Sequence, residues 1–367
     1  MKIAIFIADE GYGHAMRQKN IIHELIDHVP YVDITVYGKD KIDILYEEFG
    51  GKISYVYLYS YIMTMKDALG NLENTGTKEC FMNWYRKREA WVETTLKKLD
   101  PKTNLIISDS VPQVSEVAKR LGIKQINIQH FSWDWLYLSL YGKDEIYRAL
   151  RNDYERWGDF IFPPLTPVEN LKMYPNNSID LIVNRELIRL SSIKESSNKN
   201  QDNKFILLMN NGTKSLSNLI SKILINFPKT LGWTFMLRSE HLNEVDKNIA
   251  LERDDVKIIT GMSNTHLSIS SSDIVLARGG YNIISELIAL NKKSLIIEEK
   301  NNPEIVSNLN LAKKYKNLTI SNQKNAFQEL SKLIKSASKS ESQLEDSKIS
   351  CIGASQVLYI INKSYRN

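Results

Sequence analysis

Two short segments of this 367-residue chain combine glycines with residues able to move protons or hold anions. The first is Glu10-Gly11-Tyr12-Gly13-His14-Ala15-Met16-Arg17, which follows the apolar run Ile3–Ala8. Gly11 and Gly13 allow close approach of the backbone to a ligand and expose amides at a helix N-terminus. His14 is a histidine in this setting, a residue type suited to removing a proton from a hydroxyl or a water. Gly13 and Arg17 are candidate contacts to an acceptor or a sugar. A tight turn with His14 as an incidental cap accounts for the same residues. The segment is not a dinucleotide fingerprint, because GYGHAM lacks the third glycine of G-x-G-x-x-G.

The second segment runs from Ser272 to Glu286 (SDIVLARGGYNIISE). A strand-like run ends in Gly279-Gly280 and opens a helical pattern, which makes an anion cradle. Arg278 adds positive charge beside it. Glu286 lies about a turn and a half into the helix, where a carboxylate can chelate the two hydroxyls of a ribose. A plain glycine turn with an exposed glutamate is the other reading.

Further candidates cluster in the first half. Asp109 stands at the carboxyl end of the predicted strand Asn104–Ser108 and is a second catalytic candidate. His130 lies at the end of the predicted strand Gln125–Gln129. In Phe131-Ser132-Trp133-Asp134-Trp135, Trp133 can stack on a sugar and Asp134 can bind its hydroxyls; packing of a strand-to-helix corner also explains these aromatics.

The elements that must position these residues alternate. A helix is predicted from Met16 to His28, strands over Asp33–Tyr37 and Ile53–Leu58, and a helical stretch over Val111–Leu121. After the polar stretch Ser191–Asn203 the pattern restarts. Strands follow at Phe205–Met209, Thr234–Leu237, Val256–Thr260, Ile274–Ala277, Ser294–Ile297 and Asn317–Ile320, with a helix at Leu216–Ile225. This is βαβ punctuation, and it implies mostly parallel sheets. A second low-complexity stretch, Lys335–Lys348, precedes a last helical run, Ile352–Tyr365. The expected organisation is an α/β chain with an N-terminal domain at 1–190, a C-terminal domain at 204–348, and a final segment at 349–367 returning to the first domain.

Composition excludes several classes. Hydrophobic residues make up 43% and charged residues 25%, as in an ordinary globular protein. No apolar run approaches the roughly 20 residues that span a bilayer. The net charge of +5 comes from scattered lysines, without the basic block that nucleic-acid binding requires. Cys80 and Cys351 have no metal-ligand spacing, which points to a reducing cytoplasm. The Tyr-, Met- and Trp-rich region Tyr55–Trp91 reads either as core or as a surface for peripheral contact with the inner face of a membrane.

The second segment, with its R-G-G-x-x-x-x-S-E pattern and Lys292 beyond it, resembles the donor-binding signature of GT-B glycosyltransferases. It is most similar to the N-acetylglucosaminyltransferases of peptidoglycan lipid synthesis. The resemblance implies two Rossmann-like parallel-sheet domains facing each other across a cleft. It places a nucleotide on Arg278, Gly279, Gly280, Asn282 and Glu286, with the ribose on Glu286 and the diphosphate near the glycines. It also implies a base contact at Gly261-Met262 and a phosphate-facing loop at Asn210-Asn211-Gly212-Thr213. Departures are Ile283 in place of Thr, Lys293 and Glu298 in place of Pro, and only a loose counterpart, Glu304 to Asn308, of a Gln-x-x-Asn element.

The first half resembles the glycosyltransferase-like N-terminal domain of plant L-arabinokinases, through Gly11–Arg17, Ser108–Pro112 and Phe131–Tyr137. The GYGHAMR loop is also similar to that of a UDP-sugar hydrolase of the pseudaminic-acid pathway. These resemblances imply an inverting, metal-independent hexosyl- or N-acetylhexosaminyltransferase in cell-surface polysaccharide biosynthesis. It would take a UDP-sugar donor and a glycan, lipid-linked or small-molecule acceptor, use His14 as base, and need no cofactor. A UDP-sugar hydrolase using the same histidine, and a non-catalytic binder of nucleotide sugars, are the alternatives.

Overall fold

The apolar run after Met1 forms strand β1 (Lys2–Ile7), and its alternation serves two cores at once. Ile3, Ile5 and Ile7 enter one cluster, while Ala4, Phe6 and Ala8 enter another on the opposite face. Such a strand must be central and covered on both sides, as parallel sheets are. The computed structural model describes residues 1–189, 203–209, 213–239, 242, 244–260, 265–338 and 349–366. The chain divides into two compact units. The first holds Met1–Lys66, Leu72–Ile182 and Cys351–Asn367; the second holds Asp67–Asn71 and Val183–Ser350.

In the first unit, β1 is followed by α1 (Gly11–His28), β2 (Asp33–Gly38), α2 (Asp43–Phe49) and β3 (Ser54–Tyr57). A short antiparallel pair, β4 (Met65–Lys66) and β5 (Leu72–Glu73), leads to α3 (Asn74–Lys98). Then come β6 (Leu105–Asp109), α4 (Val114–Leu121), β7 (Lys124–Ile128), α5 (Trp133–Tyr141), α6 (Glu145–Arg156), β8 (Asp159–Phe162), α7 (Val168–Met173) and β9 (Asn176–Ser178). Seven strands form one parallel sheet in the order β3-β2-β1-β6-β7-β8-β9. The order reverses between β1 and β6, where Ile7 pairs with Asp109.

Two boundaries differ from the sequence reading. Helix α1 starts at Gly11, not Met16, so the glycine loop is itself the first helical turn. Gly11 opens it with φ +42°, in the left-handed region that only glycine enters without strain. Helix α4 starts at Val114, because Pro112 disfavours helical geometry at Val111. The Ser108 hydroxyl instead bonds the Val111 backbone across this turn. The aromatic stretch Tyr55–Trp91 supplies core: Phe81, Trp84 and Trp91 are buried, and the Trp84 indole donates to Gln113 Oε1 at 2.8 Å.

The helix Gly353–Arg366 belongs to the first unit and packs along α1. Val357 and Ile361 are buried with Ile21, Ile22 and Leu25. Gln356 bonds Asp180 twice, through the backbone amide at 2.6 Å and the carboxylate at 3.0 Å.

In the second unit, β10 (Lys204–Leu208), β11 (Trp233–Arg238), β12 (Val256–Ile259), β13 (Ile274–Arg278), β14 (Ser294–Ile297) and β15 (Leu318–Ser321) form a parallel sheet. Its order is β12-β11-β10-β13-β14-β15. The reversal falls between β10 and β13. Helix Ala326–Ser338 takes up the start of the stretch read as low-complexity; 339–348 lie outside the described residues, as do 190–202 of the other polar stretch. No described helix is long and apolar enough to cross a membrane.

Candidate active site

In an open parallel sheet, ligands bind beyond the carboxyl ends of the strands where the order reverses. In the first unit that place is the end of β1 and β6, and His14, Arg17, Asp109 and His130 converge there. The loop leaving β1 is pinned from behind. Asp9 accepts from the Ser60 amide (2.6 Å) and hydroxyl (2.7 Å), and Glu10 accepts from the Thr64 amide (2.5 Å). Burial raises the Asp9 carboxyl.

One turn of α1 then presents His14, Arg17 and Gln18 toward the end of β6. Asp109 is fully buried and accepts four hydrogen bonds. Its Oδ1 lies 2.7 Å from His14 Nδ1 and 2.5 Å from an Arg17 terminal nitrogen. Its Oδ2 takes Arg17 Nε at 2.9 Å and Gln18 Nε2 at 2.7 Å. A carboxylate has about four acceptor positions, so this one is saturated. Burial by itself would raise its pKa. The Arg17 charge, with His14 and the hydrogen bonds of both, outweighs burial and holds the carboxyl well below its usual range.

An ionised, acceptor-only Asp109 fixes the His14 tautomer. Nδ1 must carry the proton that lies between them, which leaves the lone pair on Nε2. The second Arg17–His14 approach, 3.2 Å to the same Nδ1, therefore sets two donors side by side and is not a bond. His130, just beyond β7, lies with its Nδ1 at 3.1 Å from Arg17. His14 and His130 are each 5% exposed, so both imidazoles border the surface, whereas Asp109 does not.

Ser110, next to Asp109, has φ +60°, a conformation that costs a non-glycine residue energy and gathers at functional sites. Its carbonyl accepts from the Trp133 indole at 2.7 Å. This corrects the reading of Trp133 as a sugar platform. The ring is fully buried between Phe81 and Phe131 and braces the turn that carries Asp109. Asp134 is likewise fully buried, and its Oδ2 accepts from the Tyr174 hydroxyl at 2.6 Å and faces Arg151 at 3.4 Å. Both point inward because α5 turns its first residues to the core. Gln18 was not singled out in the sequence, although its place four residues after His14 puts it on the same helical face.

The second unit carries a recess of about 120 Å³ at the carboxyl ends of its strands. Thr213, Arg278, Glu298, Glu299, Lys300 and Gln323 are among its walls. Thr213 caps helix Lys214–Asn226, with its Oγ1 accepting from the Leu216 amide at 3.1 Å. The next amide, Ser215, donates to the Leu69 carbonyl at 3.1 Å, so two amides at this helix start are occupied. Arg278 forms a two-pronged pair with Glu299, one prong at 2.9 Å. Its charge is compensated within the chain.

The two glycines after Arg278 differ. A Cβ on Gly279 would sit 2.9 Å from the end of the buried Leu309 side chain and 3.0 Å from Ile305, so that packing would have to shift. On Gly280, the cap of helix Tyr281–Ala289, it would meet nothing nearer than Ile283 at 3.9 Å. Among the described residues that space is open. Asn282 lies in the first turn and Glu286 in the second. Among the described residues Glu286 makes no side-chain hydrogen bond or ion pair, and burial pushes its carboxyl up to about 8. Gly212 and Met262 lie outside the described residues, and Gly13 occupies the first turn of α1. No cluster of three His, Cys, Asp or Glu side chains is poised to hold a metal among the described residues.

No protein-family model matches the chain, and no curated protein matches its sequence. Solved structures do match over nearly the whole length. Arabidopsis thaliana UGT89C1 complexed with UDP aligns at 11% identity, covering 98% of this chain and 99% of that one, with a TM-score of 0.61. Acinetobacter baumannii MurG aligns at 9% identity, covering 99% of each chain, with a TM-score of 0.60. A Listeria monocytogenes protein assigned as a UDP-N-acetylglucosamine 2-epimerase aligns at 13% identity, covering 100% of this chain and 96% of that one, with a TM-score of 0.62. With its two parallel sheets, each reversing strand order beside a glycine-bearing helix start, the chain has the GT-B fold.

Proposed function

We propose that the protein transfers a sugar from a nucleotide donor, most simply a UDP-sugar, to a hydroxyl-bearing acceptor with inversion at the anomeric carbon. The observation that carries this reading is the His14–Asp109 pair, which presents an imidazole lone pair at the strand-order reversal of a GT-B fold. The acceptor O–H gives its proton to His14 Nε2 as its oxygen bonds the anomeric carbon. The bond from that carbon to the diphosphate breaks, and the electron pair leaves with the nucleotide. Asp109 stabilises the imidazolium that forms, and its saturated shell keeps it from taking the proton itself.

The nucleotide falls to the second unit. Its ribose hydroxyls donate to Glu286, a carboxylate with no partner among the described residues. The leaving diphosphate lies over Gly280 and the helix start there, a place for negative charge that needs no cofactor. Arg278 joins it only by exchanging Glu299 for phosphate. A peripheral membrane position with a lipid-linked acceptor is consistent with this chemistry, as is a glycan or a small-molecule acceptor.

Hydrolysis is the second reading, because His14 Nε2 would take a proton from water in the same way. One experiment separates these readings: purified protein is incubated with UDP-sugars, with and without hydroxyl acceptors, and UDP release is measured. Acceptor-dependent release supports transfer, and full release in buffer alone supports hydrolysis. UDP binding without release would leave a non-catalytic binder.

A further inference from the structure

Two imidazoles flank one guanidinium in the first unit, and the bonds between them fix where the protons sit. Asp109 has no room for a proton, since four donors already occupy it. His14 therefore keeps its proton on Nδ1 and its lone pair on Nε2. Arg17 cannot accept a hydrogen bond, so at 3.1 Å from His130 Nδ1 it must be the donor there. His130 Nδ1 is then the lone-pair nitrogen, and the His130 proton sits on Nε2. The edge-to-face contact with Phe131, centroids 4.8 Å apart, helps hold that ring in place. His14 and His130 thus carry opposite tautomers, the first set by Asp109 and the second by Arg17, which also holds Asp109.

We infer that Arg17 is a positioning residue that assigns His14 as the only proton acceptor of the pair and confines His130 to hydrogen-bond donation through Nε2. A proton on His130 Nδ1 would face a guanidinium N–H and lose its bond, whereas a proton on His14 Nε2 leaves every bond to Asp109 intact. Arg17 is 2% exposed, and its Nε and both terminal nitrogens are directed at Asp109, His14 and His130. It shapes the site from within and does not reach for a ligand. The consequence for substrate rests on the transferase reading: the acceptor offers a hydroxyl to His14, and His130 serves only oxygens that accept.

The test reads the tautomers directly. Protein labelled with ¹⁵N in its imidazoles is studied by long-range ¹H–¹⁵N correlation, with signals assigned through His14→Gln and His130→Gln. His14 is expected to show a protonated Nδ1 and His130 a protonated Nε2. The same tautomer at both, or a proton on His130 Nδ1, overturns the inference. No substrate is needed, so the outcome stands even if no sugar is transferred. In Arg17→Met, His130 should lose its fixed tautomer and become protonatable at Nδ1. Turnover should fall about tenfold or more with KM for the nucleotide donor within twofold, and added guanidinium should restore part of it. An unchanged His130 spectrum in a folded Arg17→Met protein also overturns the inference. If Arg17→Met fails to fold, the wild-type spectrum decides alone.

Discussion

His14 Nδ1 lies 2.7 Å from Asp109 Oδ1, joining residues 95 apart in sequence at the reversal point of the first sheet. The pair couples the first turn of α1 to the last residue of β6. Neither residue alone distinguishes a catalytic site from a capped turn, and the proposed reaction draws on the pair.

His14→Ala or His14→Asn should lower turnover by about 10²–10⁴. Nucleotide affinity, which the proposal assigns to the second unit, should remain within about twofold of wild type, because no binding hydrogen bond is lost. Steady-state kinetics together with titration calorimetry check both halves of this expectation. Turnover within a few-fold of wild type would make His14 a turn residue.

Asp109→Asn should lower turnover on the same scale, about 10²–10⁴, because a carboxamide cannot hold His14 in the required tautomer. It should also change acid stability. The native carboxyl is depressed, so its contribution is fully present above about pH 4, the unfolded value. It is lost as pH falls through the native value. Denaturant titrations from neutral to strongly acid pH should show the stability gap between wild type and Asp109→Asn narrowing as pH falls.

Glu286 has the opposite sign. Its carboxyl is raised to about 8 by burial, against about 4.3 in the unfolded chain. Between those values the native state holds a proton that the unfolded state has released, so this group makes stability fall as pH rises. Ribose hydroxyls need the ionised form, so UDP affinity should rise with pH through about 8 and then level. Glu286→Gln should flatten the pH dependence, and Glu286→Ala should weaken UDP about tenfold or more. Calorimetry between pH 6 and 9, in buffers of different ionisation enthalpy, reads both the affinity and the proton released.

The adjacent glycines should separate folding from binding. Gly279→Ala drives a methyl group to 2.9 Å from Leu309 and should cost about 1–3 kcal/mol of stability. Among the described residues Gly280→Ala meets only Ile283, at 3.9 Å, so the melting temperature should hold while nucleotide affinity drops. Thermal melts with and without UDP distinguish the two, and a Gly280→Ala protein that binds UDP normally would move the diphosphate elsewhere.

The fold is legible in sequence wherever a strand is buried on both faces. Ile3–Ala8 and Ile274–Ala277 are apolar throughout, and few other structures account for such runs. Asp109 can be placed at a strand end from the sequence alone. That Arg17, Gln18 and His14 all spend their protons on it depends on the pairing of β1 with β6, which no local pattern contains. Trp133 shows a different kind of opacity. A sugar platform and a core brace use the same side chain, and only the direction of α5 separates them. The Arg278–Glu299 pair is hidden for a similar reason, since its partners lie 21 residues apart on neighbouring strand ends.

The helix Gly353–Arg366 packs on the first unit through a contact so close that a Cβ on Gly353 would overlap the Asp180 carbonyl. Between Asp180 and Gly353 in the chain stands all of the second unit except Asp67–Asn71. Order of synthesis therefore matters: the second unit can finish folding on the ribosome while α1, which bears His14 and Arg17, still lacks the helix that covers it. The first unit, begun earlier, is thus the later of the two to have its whole sequence available for folding.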